Sequence, residues 1–134
     1  YVDISSFKLF LLDCGLLGAM SETPPEKLLI ANNGMEESKG AFTENYLMSQ
    51  LVATNDTSVF YYSNDAKLEI DFLIQHGCDI VPIEAKAEEN LRSKSLSTFV
   101  ANNPQLHGVR FSMSDYREQD WLTNIPLYAA SIYF

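Results

Sequence analysis

Basic residues are scarce in this chain of 134 residues, which has nine lysines and arginines against 18 aspartates and glutamates. Nucleic-acid binding depends largely on neutralising phosphates. With a net charge of -9, the isolated domain is therefore expected to bind DNA poorly unless a basic patch, a cation or another part of the chain compensates. Carboxylates that bind cations would offset part of this charge.

Long apolar runs and nucleotide-binding sequences are also missing. No run approaches the roughly 18 residues of a transmembrane helix, and the start lacks the basic region and cleavage site of a signal peptide. We therefore expect a cytoplasmic domain without a membrane contact. Gly34 and Gly40 do not form a P-loop, so this piece is not expected to bind ATP in that way. Since the sequence starts at Tyr1 rather than Met, further residues are expected upstream.

Cysteine and histidine are too few to suggest a metal site of their own. Cys14 and Cys78 lack metal-ligand spacing, and free thiols are the simpler interpretation than a disulfide. His76 and His107 occur in loop contexts and are expected to be exposed rather than ligands. No basic residues interleave with the aromatic ones, so a core or interface role is predicted for Trp121 and the tyrosines at 61, 62, 116, 128 and 133.

Two apolar runs, 68–74 and 78–86, are separated by Gln75-His76-Gly77 and predict a β-hairpin. Strand alternation assigns one set of side chains to the apolar face of the first run, namely Leu68, Ile70, Phe72 and Ile74. The corresponding set of the second run is Asp79, Val81, Ile83 and Ala85. Asp71, Glu84 and Lys86 sit opposite these faces, at or near strand ends. Strand pairing could bring them together as a site for a hard divalent cation and a nucleophilic water.

A long helix is predicted before the hairpin, over residues 35–55. Its apolar positions recur with helical spacing, at Leu47, Met48, Leu51 and Val52. Glu44 lies on the same stripe. A carboxylate on the buried side costs several kcal/mol unless it is paired or binds a metal, so Glu44 is a candidate site residue.

The remaining elements follow from local signals. Asp13 is expected to cap a helix over 14–20, after a strongly apolar run at 7–13, and Pro24-Pro25 to begin a short helix at 27–31. A strand at 58–63 precedes the hairpin. After it come a helix at 94–102 capped by Ser93 and a strand at 108–112, and the unit 78–112 predicts a right-handed parallel crossover. From Ile125 onward, a packed helix and an edge strand both remain open.

The order of these elements is helix with Glu44, strand, strand with Asp71, strand with Glu84-Ala85-Lys86, helix, strand. It resembles the PD-(D/E)xK nuclease superfamily, which includes restriction endonucleases and archaeal Holliday-junction resolvases. The resemblance implies an α/β fold with a restriction-endonuclease-like αβββαβ core, in which helices flank a mixed central sheet. It implies a single nuclease-like domain over residues 1–134, with 1–35 as an N-terminal helical or strand extension.

A narrower resemblance rests on four segments, at 8–17, 43–45, 69–72 and 82–86. They are similar to the uncharacterised C-terminal domain that follows a P-loop in certain bacterial and archaeal AAA-type ATPases. This resemblance implies an upstream ATPase module of the same polypeptide as a partner. It leaves DNA binding and the oligomeric state open.

The nuclease resemblance also implies a site for Mg²⁺ or Mn²⁺. Asp71 and Glu84 would be direct ligands, with the backbone carbonyl of Ala85 as a third. Glu44 would bind the metal or orient a bound water, and Lys86 would orient the water or stabilise developing charge. Glu69 shares a face with Asp71 and is an outer candidate.

A solvated residue at a strand end is the simpler interpretation of Asp71, Glu84 or Lys86 taken alone. Glu44 is the strongest single candidate because of its position on the apolar stripe. Two functions are therefore considered. The first is a metal-dependent nuclease with Glu44, Asp71, Glu84 and Lys86 as catalytic residues. The second is a catalytically silent module of the same fold, which binds a partner or nucleic acid or regulates its ATPase. The intact quartet favours the first, and the net charge favours the second.

Overall fold

A six-stranded mixed sheet forms the centre of the structure, and helices flank it. The computed structural model describes residues 6–26, 36–54, 58–64, 67–87 and 92–133. The helices are α1 (Cys14–Met20), α2 (Glu36–Thr54), α3 (Lys94–Asn102) and, after a 3-10 turn at Leu127–Ala129, α4 (Ala130–Tyr133). The strands are β1 (Phe60–Ser63), β2 (Glu69–His76), β3 (Asp79–Lys86), β4 (Gly108–Ser112), β5 (Arg117–Glu118) and β6 (Leu122–Pro126). Within these ranges no helix is both long and apolar enough to cross a membrane.

The strands lie in the order β1-β2-β3-β4-β6-β5. The predicted hairpin is confirmed, since β2 and β3 are antiparallel with Phe72 opposite Ile83. The predicted parallel connection is also confirmed, because β3 pairs in parallel with β4 after the chain passes through α3. The predicted order of helix, three strands, helix and strand therefore holds.

Helix α2 and helix α3 each pack against an apolar cluster of the sheet. The α2 cluster is the larger one and contains Leu47, Leu51, Phe72, Ile74, Ile83, Val109, Phe111, Ile125 and Ala130. The α3 cluster contains Ile70, Leu96, Val100 and Leu122. Val52 does not join either cluster and is 58% exposed, so its predicted place on the buried stripe of α2 is wrong. It lies near the end of the helix, beyond the last buried leucine.

Strand β2 contains an irregularity beside the site described below. Phe60 pairs with Leu73 and Tyr62 with Ile70, so β2 accommodates one extra residue between these pairs. Such a bulge interrupts the alternation of faces and re-aims side chains. Ile70 consequently packs in the α3 cluster, whereas Phe72 packs in the α2 cluster. The prediction of one shared apolar face is therefore wrong at Ile70.

The C-terminal segment is an internal strand followed by helical residues. Strand β6 ends at Pro126 and helical residues follow from Leu127. The edge-strand alternative is wrong, because β6 lies between β4 and β5. The two-residue strand β5, at Arg117–Glu118, was absent from the sequence prediction because so short a strand has no detectable periodicity.

Of the two helix caps predicted from the sequence, the cap by Asp13 is confirmed and the cap by Ser93 is wrong. Asp13 caps α1 as predicted, since its side chain accepts a hydrogen bond from the backbone N–H of Leu16 at 2.8 Å. Ser93 does not cap α3 with its side chain. Its hydroxyl instead accepts a hydrogen bond from Arg110 Nη1 at 3.0 Å. The short helix predicted at 27–31 lies outside the described residues.

Cys14 and Cys78 are free thiols, as predicted. His76 and His107 are exposed, as predicted, but the loop context is wrong for His76, which is the last residue of β2. His107 Nε2 shares a hydrogen bond of 2.8 Å with the hydroxyl of Thr123.

The core prediction for the aromatic residues holds only in part. Trp121 and Tyr62 are partly buried against the α3 cluster, where Tyr62 contacts the ring of Phe99. Tyr116 and Tyr128 are 58% and 80% exposed, so a core role is wrong for these two. An interface role for them stays a prediction.

Candidate active site

A cleft of about 480 Å³ forms where α2, β2, β3 and the chain leading into α3 meet. Glu44, Asp71, Glu84 and Lys86, the four residues predicted for the site, all line it. The other lining residues are Gly40, Glu69, Ala85, Ala87, Arg92 and Ser95. Residues from distant parts of the chain are thus brought together, while their catalytic and metal-binding roles stay predictions.

Asp71 lies beside the bulge of β2, and its side chain is only 18% exposed. Its Oδ2 accepts a hydrogen bond of 2.9 Å from the backbone N–H of Ala85 on β3. Burial raises the pKa of Asp71 to about 6, and the charges of Glu44 and Glu84 add to this rise. The Ala85 hydrogen bond and the charge of Lys8 oppose it. The pKa of this carboxyl therefore lies close to neutral pH.

Glu84 is the most buried acid of the cleft, with a side chain that is 11% exposed. Its Oε1 forms an ion pair with Lys86 Nζ at 3.2 Å. Its Oε2 is buried and has no hydrogen-bond partner among the residues that the structure describes. A buried carboxylate oxygen without a partner is costly, so this atom is poised to accept a ligand inside the cleft.

Lys8 is a member of this site that sequence reasoning missed. Its Nζ lies 2.8 Å from Glu69, 3.4 Å from Glu44 and 3.8 Å from Asp71. Burial by itself would lower the pKa of Lys8, but the hydrogen bond to Glu69 and the three negative charges outweigh it and leave the pKa raised. Glu44, which the stripe position predicted to be buried, has a side chain that is 30% exposed and reaches this ammonium.

The segment that carries Lys8 is held against α2 and β2. The backbone N–H of Leu11 donates to Oδ1 of Asn45 at 2.8 Å, and the ring of Phe10 packs 5.6 Å from that of Phe72. Asn45 is only 3% exposed and directly follows Glu44 in the helix. Lys8 is the lone charged residue in the apolar run 7–12. A cation in such a run needs a counterion, and this is the signal that could have identified it.

A second buried cation lies next to Glu84. Arg110 is 4% exposed, and the parallel register places it beside Glu84 on the neighbouring strand. Its guanidinium donates to Asn124 at 2.8 Å and to Ser93 at 3.0 Å. Burial lowers the pKa of Arg110, while the charge of Glu84 acts to raise it. Sequence reasoning also missed this residue, although an arginine in the middle of a short buried strand is itself a signal.

The donor chemistry of the cleft suits a hard divalent cation, because carboxylate oxygens are its preferred ligands. The unpartnered Oε2 of Glu84 is consistent with such a role. Across the described ranges, however, no three His, Cys, Asp or Glu side chains are grouped closely enough to hold a metal ion. The ammonium of Lys8 occupies the position where Glu44, Glu69 and Asp71 converge. The ligand types therefore fit a metal, whereas their present arrangement fits a lysine.

Comparison with known proteins adds a family but no activity. A protein-family model described as a domain of unknown function, DUF4143, matches residues 39–130. No curated protein matches the chain. The matched range includes Glu44, Asp71, Glu84 and Lys86 but not Lys8. Because the match covers more than half of the sequence, this chain belongs to the DUF4143 family.

Proposed function

We propose that this domain is a metal-dependent phosphodiester hydrolase of the PD-(D/E)xK type, with a restriction-endonuclease-like fold, acting on nucleic acid. The observation that carries the proposal is the convergence of Glu44, Asp71, Glu84 and Lys86 in one cleft. Asp71, Glu84 and Lys86 lie on the two strands of one hairpin, which brings them close together. Glu44 comes from helix α2, and its approach to the other three does not follow from the hairpin. The mixed sheet with its hairpin and parallel crossover is consistent with the same fold.

Asp71 and Glu84 would hold the Mg²⁺ or Mn²⁺ ion, with the carbonyl of Ala85 as a further ligand. When bound, such an ion supplies positive charge to a phosphate and lowers the pKa of a coordinated water. Glu44 is partly exposed at the cleft and can orient a water there by accepting a hydrogen bond from it. Asp71 must be ionised to bind a cation, and its raised pKa places that ionisation near neutral pH.

Lys86 has two tasks in this proposal. Its ammonium neutralises Glu84 at 3.2 Å and is half-buried at the lip of the cleft. A lysine is a compact point charge, so it can also stabilise the negative charge that develops on a phosphate. Arg92 lines the same cleft and adds a second positive charge for positioning the phosphate backbone.

A catalytically silent module is the second candidate function, and specific observations favour it. The net charge of -9 opposes nucleic-acid binding. In addition, Lys8 already neutralises part of the acidic cluster without any metal. In this alternative the cleft is a structural ion-pair network, and the domain binds a partner or nucleic acid or regulates an ATPase.

We also propose that the domain is the C-terminal part of a AAA-type ATPase and contacts that ATPase module. The proposal rests on the sequence resemblance. It is supported by Phe7, Leu9 and Leu12, large apolar side chains that are 75%, 80% and 83% exposed. A group of exposed apolar side chains often marks a protein contact.

Cleavage assays separate the two functions. The protein is incubated with Mn²⁺ or Mg²⁺ and with single-stranded, duplex and branched DNA and RNA. If the hydrolase proposal holds, Glu84→Gln and Lys86→Ala each reduce cleavage by about a hundredfold or more, because each removes a charge that acts on the reacting phosphate. Lys94→Ala, an exposed lysine that does not line the cleft, should cleave like the wild type. Absence of cleavage with every substrate, with the variants folded, would favour the silent module.

A further inference from the structure

A cation lies against three acids of the active-site cleft. Three carboxylates, from Glu44, Glu69 and Asp71, lie within 3.8 Å of the Lys8 ammonium. The Lys8 side chain is 21% exposed, so the ammonium is largely removed from bulk solvent. Lys8 belongs to a segment outside the range matched by the family model.

We propose that Lys8 is the internal counterion of this site, and that its ammonium and a divalent cation compete for the same carboxylates. Lys8 thereby sets the affinity for the cation. The divalent cation itself rests on the proposed function. The competition concerns binding, so it can be tested whether or not the domain cleaves a phosphodiester.

Electrostatics makes the two cations compete. A metal bound to Asp71 together with Glu44 would lie a few ångströms from the present position of the ammonium. Two positive charges at that separation repel strongly in a partly buried site. Both cations also draw on oxygens of the same carboxylates, which now contact the ammonium. Binding of a divalent cation therefore works against the present contacts of Lys8 and favours withdrawal of its side chain.

The structure contains space for this withdrawal. Lys8 itself lines a second cleft of about 350 Å³, together with Leu9, Phe10 and Asn45, and does not line the active-site cleft. Glu44 and Glu69 line both clefts, so the Lys8 ammonium lies where the two adjoin. Its side chain can shift further into the second cleft by rotamer changes alone. The contacts of Phe10 and Leu11 that hold the segment in place need not break.

The counterion also explains how several acids coexist without metal. Glu44, Glu69 and Asp71 would repel one another if none were neutralised. Lys8 compensates part of that repulsion, which allows the metal-free domain to fold with the cluster in place. The cost is a lower affinity for any divalent cation.

Calorimetric titration of metal-free protein with Mn²⁺ tests the proposal. The variants are Lys8→Met, which keeps the length of the side chain but removes its charge, and the matched control Lys94→Met. Both lose one positive charge, but Lys94 is exposed and does not line the cleft. We expect Lys8→Met to bind Mn²⁺ roughly tenfold more tightly or better than the wild type, since it loses a charge within 4 Å of the ligands. Lys94→Met should stay close to the wild type.

Circular dichroism establishes that each variant is folded. Lys8→Gln, which keeps hydrogen-bond donors for Glu69, replaces Lys8→Met if the latter is unfolded. Equal Mn²⁺ affinity in the wild type and the folded Lys8 variant would overturn the competition, and so would failure of both to bind Mn²⁺. Tighter binding without cleavage of any nucleic acid would support the competition while refuting the hydrolase.

Discussion

Replacing Asp71 by Asn is expected to stabilise the metal-free protein at neutral pH and to remove part of its pH dependence. Burial and two neighbouring acids raise the pKa of Asp71 from 3.8 to about 6. The folded state therefore binds a proton at this position more tightly than the unfolded state does. Asn is close in shape to the protonated form and can still accept the hydrogen bond from Ala85.

The sign and size of the effect follow from proton linkage. Between about pH 4 and 6 the folded protein holds this proton while the unfolded chain has lost it, so stability falls as pH rises. The contribution is fully present below the unfolded pKa and is lost once pH passes the folded pKa. A rise from 3.8 to about 6 corresponds to about 3 kcal/mol, since one pKa unit is worth about 1.4 kcal/mol. Asp71→Asn should recover up to this amount above about pH 7.

Urea unfolding followed by circular dichroism measures this difference. Wild type and Asp71→Asn are compared in EDTA at several values between about pH 4 and 8, and the difference between the two curves isolates this one group. Asp79→Asn serves as the control, because Asp79 is exposed on the same hairpin and does not line the cleft. The reasoning is refuted if wild type and Asp71→Asn give parallel curves, or if the gap between them narrows as pH rises.

Three further substitutions test the packing of the domain. Arg110→Met should destabilise the protein by about 3 kcal/mol, because it removes the buried hydrogen bonds from the guanidinium to Asn124 and Ser93 and the positive charge beside Glu84. Arg117→Met, at an exposed arginine, should change stability by less than about 0.5 kcal/mol. Gly108→Ala should cost about 1 to 3 kcal/mol, since its Cβ would lie 3.3 Å from Leu96. Gly40→Ala meets open space within α2 and should stabilise by about 0.5 to 1 kcal/mol. Urea unfolding at fixed pH measures the free energy of unfolding of each variant. A change in that free energy of the opposite sign would contradict the prediction for that substitution.

Local patterns were sufficient for most of the fold. The spacing of Leu47 and Leu51 predicts α2, and the two apolar runs around Gly77 predict the hairpin that the structure contains. The parallel pairing of β3 with β4 follows from a helix between two strands. These features depend on residues close together in sequence, which is why periodicity and turn signals detect them.

Features that depend on tertiary contacts were not predictable in this way. The bulge in β2 is set by pairing with β1, and strict alternation therefore placed Ile70 on the wrong face. The contact of Lys8 with Asp71 joins residues 63 positions apart in sequence, and no local pattern connects them. The positions of Glu44, Asp71 and Glu84 on helix and strand faces predict them as site residues. No such pattern predicts Lys8, the cation that contacts Glu44 and Asp71.

That charge balance links the two candidate functions. Four acids of the cleft, Glu44, Glu69, Asp71 and Glu84, would repel a phosphate at this surface. Lys8, Lys86 and Arg92 lie among these acids, and Arg110 lies beside Glu84, so their positive charges offset the acids in part. A divalent cation bound there would add positive charge, so any nucleic-acid binding at this cleft would strengthen with the cation that occupies it. A domain whose acids stay paired with Lys8 behaves as the silent module, and one whose lysine withdraws for a divalent cation gains both the charge and the ligands that hydrolysis requires.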